Sequence, residues 1–279
     1  MKHIIIMTVY KDVELVNKII KNVPNDWDVY VHVDEKSSIV ESQLDNKVYV
    51  IKKYKINWGS INHLLAIIEL LKIAFEKTRE EAYFHIITGQ DYFVTSPEGF
   101  DKIVNGGKIF LDIVSNPKWY NGGEDIWKYR TLAQYIDLRK PFNRKINRLY
   151  MFLQKYMGLC KSLPSYPIYG GSVYCSLPTN AVEYVLNSDI AKKMLNALKS
   201  SAIGEEIFFQ TVLMNSPLKS SIIISNLRYS DWSVVNSPKT LNEEDFKSIS
   251  ASNALFCRKV DLIKSNKLLE MLPIQDCIK

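Results

Sequence analysis

Residues 3–9 (HIIIMTV) form an apolar run of strand length, and the period of the chain changes straight after it. Val13, Val16, Ile19, Ile20 and Val23 recur at helical spacing behind Asp12, the expected cap. A buried strand followed by a one-faced helix within a short connection is the sequence form of a β-α crossover, and here it repeats. Pro24-Asn25-Asp26 reads as a turn, 28–34 (DVYVHVD) and 47–53 as strands, and Ser60 to Arg79 as a long amphipathic helix carrying Leu64, Leu65, Ile68, Leu71 and Phe75. Residues 83–88 (YFHIIT) make a further strand, Ser96-Pro97-Glu98 opens a helix with proline at its first position, and 108–114 (KIFLDIV) read as strand again. This rhythm predicts an α/β fold, a Rossmann-like, mostly parallel central sheet flanked by helices. Such sheets bind ligands beyond the C-terminal ends of their strands. Tyr10-Lys11, Asp34-Glu35-Lys36 and Gly89-Gln90-Asp91 therefore mark the expected ligand edge.

The middle of the chain is different. Residues 115–170 are rich in Trp, Tyr, Lys and Arg, and 142–157 form a basic amphipathic helix; after Gly170-Gly171 short strands and helices return. With no repeat or low-complexity linker, the expectation is one domain over 1–279: a nucleotide-binding part (1–114), a mobile basic, aromatic-rich insertion (115–170) and a part for acceptor and diphosphate (171–279). Cys160, Cys175, Cys257 and Cys277 are far apart and form no CxxC pair, so neither a zinc site nor a disulfide framework is indicated. The apolar start is too short for a signal peptide, no run reaches membrane-span length, and a soluble, cytoplasmic protein is expected. A formal charge of +6 suits an anionic substrate or a membrane surface and does not by itself imply nucleic acid.

Gly204-Glu205-Glu206-Ile207-Phe208-Phe209-Gln210-Thr211 sets two carboxylates at the start of an apolar helix, where unpaired N–H groups favour negative charge. They are either first-turn acids that stabilise the helix or a general base aimed into a cleft. No GxGxxG, GxxxxGK[ST] or Ser nucleophile elbow is present. His3, His32, His63 and His85 form no metal-ligand pair; His3 and His85 read as strand residues, whereas His32 shares a strand face with Asp34 at the ligand edge. Asp34 and Asp91 either cap turns or hold a ribose or base. An Asp-x-Asp metal motif is missing, so a departing diphosphate would need cations such as Lys239, Arg258 and Lys259, residues that could equally be solvated surface.

Several of these segments fall in a known order. The chain resembles the core-2/I-branching β-1,6-N-acetylglucosaminyltransferase family, which includes the peptide O-xylosyltransferases. The resemblance rests on His32-Val33-Asp34 with Lys36, Trp58-Gly59-Ser60, Thr88-Gly89-Gln90-Asp91-Tyr92, Gly171-Ser172, Gly204-Glu205-Glu206 through Thr211, Leu227-Arg228-Tyr229 with Trp232, Pro238-Lys239-Thr240 and Leu255-Phe256-Cys257-Arg258-Lys259. It departs where the family has Pro-Asp before the Glu, Arg for Lys239, and Phe-Pro for Tyr92-Phe93.

The resemblance implies a GT-A-type glycosyltransferase fold and an inverting, metal-independent transfer from a UDP-sugar, most simply GlcNAc, to a glycan or lipid-linked acceptor. No cofactor is implied. Glu206 becomes the base; Lys239, Arg258 and Lys259 serve the diphosphate; Asp34, with His32 and Asp91 at the same edge, serves the nucleotide; Glu205, Tyr229 and Trp232 serve the acceptor. The alternatives are a non-catalytic sugar- or nucleotide-binding protein of this fold, and a metal-dependent transferase using Asp34 and Asp91. The basic stretch 139–161 either packs its apolar face on the domain or rests on an anionic membrane at its inner face.

Overall fold

The computed structural model describes residues 1–115, 125–162, 164–234 and 237–273. Four parallel strands, β1 (Lys2–Val9), β2 (Asp28–Val33), β3 (Val48–Ile51) and β4 (Ala82–Thr88), run 3-2-1-4 across one half of the central sheet. The chain moves outward from β1 to β3 and returns to the other flank of β1, so the order reverses there and opens a crevice at the strand ends. β5 (Asp91–Phe93) leaves for a smaller sheet. The far half of the large sheet comes from distant segments. β6 (Ile109–Leu111) is followed by β7 (Val114–Ser115), which pairs with β8 (Tyr169–Gly170); β9 (Cys175–Pro178) and β10 (Ile222–Ile224) complete the order β10-β6-β9-β4-β1-β2-β3. β9 runs antiparallel to both neighbours. β11 (Arg228–Ser230) and β12 (Phe256–Arg258) join β5 in the smaller sheet.

Alternation along β1 sorts its side chains to two cores. Ile5, Met7 and Val9 share one apolar cluster with Leu15, Val16, Ile19 and Ile20 of α1 (Val13–Lys21). Ile4 and Ile6 share the other with Leu64, Ile67, Leu70 and Leu71 of α2 (Asn62–Lys77). Each such buried side chain contributes about 1.5–3 kcal/mol. α3 (Pro97–Ile103) starts at Pro97 as expected.

Asp12 does not cap α1 with its side chain. Its backbone is left-handed (φ 59°), its carboxylate pairs with Lys11 at 3.1 Å, and α1 begins with Val16 N–H donating to the Asp12 carbonyl at 3.0 Å. A side-chain cap needs an extended N-cap residue, and the tight reversal out of β1 rules that conformation out here. His3 and His85 are core residues: the chain Asp101–His3–His85–Ser176 crosses the sheet with contacts of 3.2, 3.0 and 2.8 Å. Burial lowers the pKa of both rings.

In the insertion, 116–124 lie outside the described residues, and α4 (Asp125–Lys128) leads to α5 (Pro141–Tyr156). α5 docks by its polar side. Leu132 N–H donates to Asn147 Oδ1 at 2.7 Å, Arg130 N–H to Gln154 Oε1 at 3.0 Å, and Gln154 Nε2 to the Arg130 carbonyl at 2.9 Å. The apolar stripe faces solvent, so the expectation that it packs on the domain fails. The Thr131 N–H is met by the Ser200 carbonyl at 2.8 Å, while the Arg130 N–H and carbonyl and the Leu132 N–H find their partners on the Asn/Gln stripe. After β9, α6 (Thr179–Asn187) and α7 (Asp189–Leu198) lead to α8 (Glu205–Met214), whose middle is buried.

Candidate active site

The expected ligand edge forms at the ends of β1, β2 and β4. Asp34 N–H donates to the Val9 carbonyl at 2.8 Å and Gly89 N–H to the Thr8 carbonyl at 3.1 Å, which ties the three strand ends together. Asp34 is buried and oriented by Lys36 N–H (3.0 Å) and Ile56 N–H (3.2 Å), both donating to Oδ1. Its Oδ2 has the Lys36 ammonium 3.8 Å away and can accept from a ligand N–H or O–H. Tyr10 stands exposed beside it. His32 is placed differently from the expectation: the ring is fully buried, its Nε2 accepts from Tyr54 N–H at 3.1 Å, and burial brings its pKa down to about 4. It braces the loop after β3 from behind rather than lining the edge. Its Nδ1 is buried without a hydrogen-bond partner among the described residues.

Glu205 and Glu206 open α8 at the same edge. Gly59 (φ 80°) accepts from Ile203 N–H at 2.9 Å, which staples the start of α2 to the approach to α8. Ile203 itself is left-handed (φ 57°), a conformation costly for a β-branched residue and held by this staple. The staple brings His63 of α2 to Glu205: Nδ1 lies 3.3 Å from Oε1, and Nε2 lies 3.2 Å from Thr8 Oγ1 at the end of β1. Glu205 Oε2 is buried and has no hydrogen-bond partner among the described residues. Burial pushes the Glu206 carboxyl up to about 7, with His63 pulling the other way. A carboxyl poised there exchanges a proton near neutral pH, as general-base work requires. The Glu206 carbonyl accepts from Gly171 N–H at 2.9 Å. A side chain at Gly171 would meet the Asp112 carbonyl oxygen at 2.2 Å, so this close approach needs glycine.

Asp91 also departs from the expectation, because its carboxylate is spent inside the protein. It is fully buried, Oδ1 accepts from Arg228 Nε at 2.7 Å, and Oδ2 accepts from Thr88 N–H at 2.6 Å and Thr88 Oγ1 at 2.8 Å. Arg258 lies 3.5 Å from Oδ2. Burial alone would raise its pKa, but Arg228, Arg258 and the Thr88 bonds outweigh that and hold it below the ordinary range. Arg258 also donates to Tyr174 Oη, and both guanidiniums stack on that ring, at 4.0 Å for Arg228 and 4.5 Å for Arg258. Asp91 thus positions an arginine rather than presenting itself to a nucleotide.

Lys259 follows Arg258, and its neighbour Val260 N–H donates to the Gln90 carbonyl at 3.1 Å. Lys239 and Lys259 line one cavity of about 410 Å³ with Pro238, Thr240, Asn242 and Lys264. Burial, then Arg258 and Lys11, lower the Lys259 pKa. Lys239 is anchored by Asp245 at 2.8 Å. Three ammonium groups around one cavity suit a multiply charged anion. A larger cavity of about 620 Å³ lies at the opposite, N-terminal end of β4, among Phe75, Arg79, Glu80 and Glu81, and holds none of these groups. Tyr229 is half-buried on β11, and Trp232 is exposed on the following loop. Among the described residues no three His, Cys, Asp or Glu side chains are grouped to hold a metal ion.

Sequence reasoning missed His63, Tyr174 and Lys264. Only the helical register of α2, which turns His63 toward the strand ends, hinted at the first. The others meet their partners through folding alone.

A family model described as Core-2/I-Branching enzyme matches residues 4–253. The chain is 23% identical to xylosyltransferase sqv-6 of Caenorhabditis elegans over 279 residues, covering 88% of this chain and 33% of that protein. It is 24% identical to xylosyltransferase 1 of Rattus norvegicus over 273 residues, covering 87% of this chain and 31% of that protein. The chain therefore spans about a third of the length of the curated relatives it matches. Mouse xyloside xylosyltransferase 1, apo form, overlays with a TM-score of 0.40 at 10% identity, covering 92% of this chain and 97% of that one. With the family match running from β1 through α8 and the smaller sheet's β11, this chain belongs to the core-2/I-branching enzyme family and has its GT-A-type α/β fold.

Proposed function

We propose that the chain is an inverting glycosyltransferase that moves a sugar from a UDP-sugar to a hydroxyl of a glycan or lipid-linked acceptor without a metal ion. Glu206 supports this reading most directly, as a desolvated carboxyl with its pKa near 7 at the strand-end edge. Ionised Glu206 takes the proton of the acceptor hydroxyl while that oxygen bonds to C1 of the donor. The bond from C1 to the diphosphate oxygen breaks, and the electron pair leaves with UDP, which gains one negative charge. Lys259 and Lys239 neutralise that charge, and Arg258, held by Asp91 and Tyr174, stands beside them. Asp34 Oδ2 accepts from the nucleoside, and Tyr229 and Trp232 meet the acceptor.

UDP-GlcNAc is the first donor to test, on the sequence resemblance. UDP-xylose is the second reading, favoured because the relatives are named xylosyltransferases. The test is slow hydrolysis across a panel of UDP-sugars, with and without EDTA. Release of UDP from one donor, unaffected by the chelator and abolished in Glu206→Gln, is the expected result. Release in Glu206→Gln at the wild-type rate overturns the base assignment. Loss in EDTA with rescue by manganese overturns the metal-free assignment. Tight UDP binding with no turnover on any donor and acceptor tried favours a binding protein of this fold.

A further inference from the structure

α5 is turned inside out. Its inward stripe is Asn143, Asn147, Tyr150 and Gln154, with Asn147 7% and Gln154 6% exposed, while Phe142, Leu149, Phe152 and Tyr156 on the outward side are 72%, 58%, 62% and 83% exposed. Phe142, Ile146, Leu149, Leu153 and Tyr156 fall within about 80° of arc at 100° per residue, a continuous apolar stripe. The stripe continues through exposed Met157 and Leu159 beyond the helix. Exposed Lys145 borders one edge of the stripe, and exposed Arg148, Arg144 and Lys140 follow it around that side of the helix; the sequence has no Asp or Glu between Asp137 and Glu183. Arg139 and Lys161 do not belong to this surface: Arg139 is held by Asp137 at 2.7 Å, and Lys161 Nζ turns inward to the Ala197 carbonyl at 2.8 Å.

We propose that this face of α5 docks on an anionic lipid surface, with the apolar stripe in the headgroup–acyl boundary and the flanking cations on lipid phosphates. Charge selects this occupant. A second copy of the chain would bring a helix of the same sign against the first, whereas an anionic bilayer is complementary to both the stripe and its basic flank. Among the described residues no helix is long and apolar enough to cross a membrane, so docking here is peripheral. This inference stands apart from the transferase reading.

The test is flotation with phosphatidylcholine vesicles containing one-third phosphatidylglycerol, against pure phosphatidylcholine, at low and high salt. Wild type is expected to float with the anionic vesicles at low salt and to be released by high salt. Phe142→Ser with Phe152→Ser should lower partitioning at least tenfold, and Arg144→Gln and Arg148→Gln by roughly fivefold each. All four side chains are exposed, so melting temperature should not change; a variant that melts early is replaced by Leu149→Ser or Lys145→Gln. Failure of wild type to float at low salt overturns the proposal. So does equal flotation on neutral vesicles, or a wild-type dimer that the Phe variants convert to monomer, which would make a second copy the occupant. UDP release in the same samples reports on the transferase reading separately: flotation without UDP release supports docking while counting against catalysis, and the reverse result does the opposite.

Discussion

Replacing Glu206 by Gln tests stability and catalysis at once. Burial raises its carboxyl to about 7 against an ordinary value near 4.5. Ionising it in the folded state therefore costs more than in the unfolded chain, by about 1.4 kcal/mol per pKa unit, or about 3 kcal/mol in all. For an acid with a raised folded pKa, this cost is absent below the unfolded value, grows between about pH 4.5 and 7, and is constant above. Glutamine keeps the shape and cannot ionise. Urea unfolding at pH 8 should thus find Glu206→Gln more stable than wild type by about 1–3 kcal/mol, the lower figure allowing for residual solvent at the site, with the two converging near pH 4.5. Turnover should fall by about two to four orders of magnitude. In wild type kcat/KM should rise with pH through about 7, as the base ionises. A variant no more stable than wild type at pH 8, with a wild-type kcat/KM flat between pH 6 and 8, would refute the reasoning at both ends.

Asp91→Ala leaves the buried Arg228 guanidinium without its partner and should cost about 3–5 kcal/mol by thermal or urea melting; wild-type stability after this change would show the pair to be idle. Lys259→Ala should weaken UDP binding by about ten- to a hundredfold in calorimetry, the loss of one charge-assisted contact. Gly171→Ala drives a methyl against the Asp112 carbonyl and should cost about 1–3 kcal/mol while lowering turnover, because the same residue holds the Glu206 backbone. His63→Gln should lower kcat more than it raises KM if the Thr8–His63–Glu205 chain aligns the base, and an unchanged kcat removes His63 from the machinery.

The β1–β4 half of the sheet was legible because each strand and helix there carries its own period over a local stretch, and the strand-end edge followed from it. Of the other half, β6 was legible inside the apolar run 108–114, whereas β9 and β10 are four- and three-residue strands recruited by pairing rather than by pattern. Amphipathicity located α5 to within a residue but could not say which face points inward; hydrogen bonds from Arg130 and Leu132 to Gln154 and Asn147 set that against hydrophobicity. Asp91 read as a ligand because a strand-end acid at the edge looks available, and its partner Arg228 stands 137 residues away. His32 read as a ligand because the strand face was right, while the covering loop at Tyr54 was not visible in the pattern.

The sheet's strand order also dictates when the protein becomes whole. β4 is the flank of the N-terminal half, and its partner β9 holds Ser176, 91 residues beyond His85. At roughly 5–20 residues per second on the ribosome, that strand stays an unpaired edge for about 5–20 s after it emerges. During that time its backbone donors and acceptors are open to any neighbouring chain, and its run Ala82–Thr88 has no charged residue to discourage pairing. Glu206 and the lysines of the cavity arrive later still. Nascent chains stalled before residue 175 are therefore the species in which aggregation, or a holding chaperone, should be found.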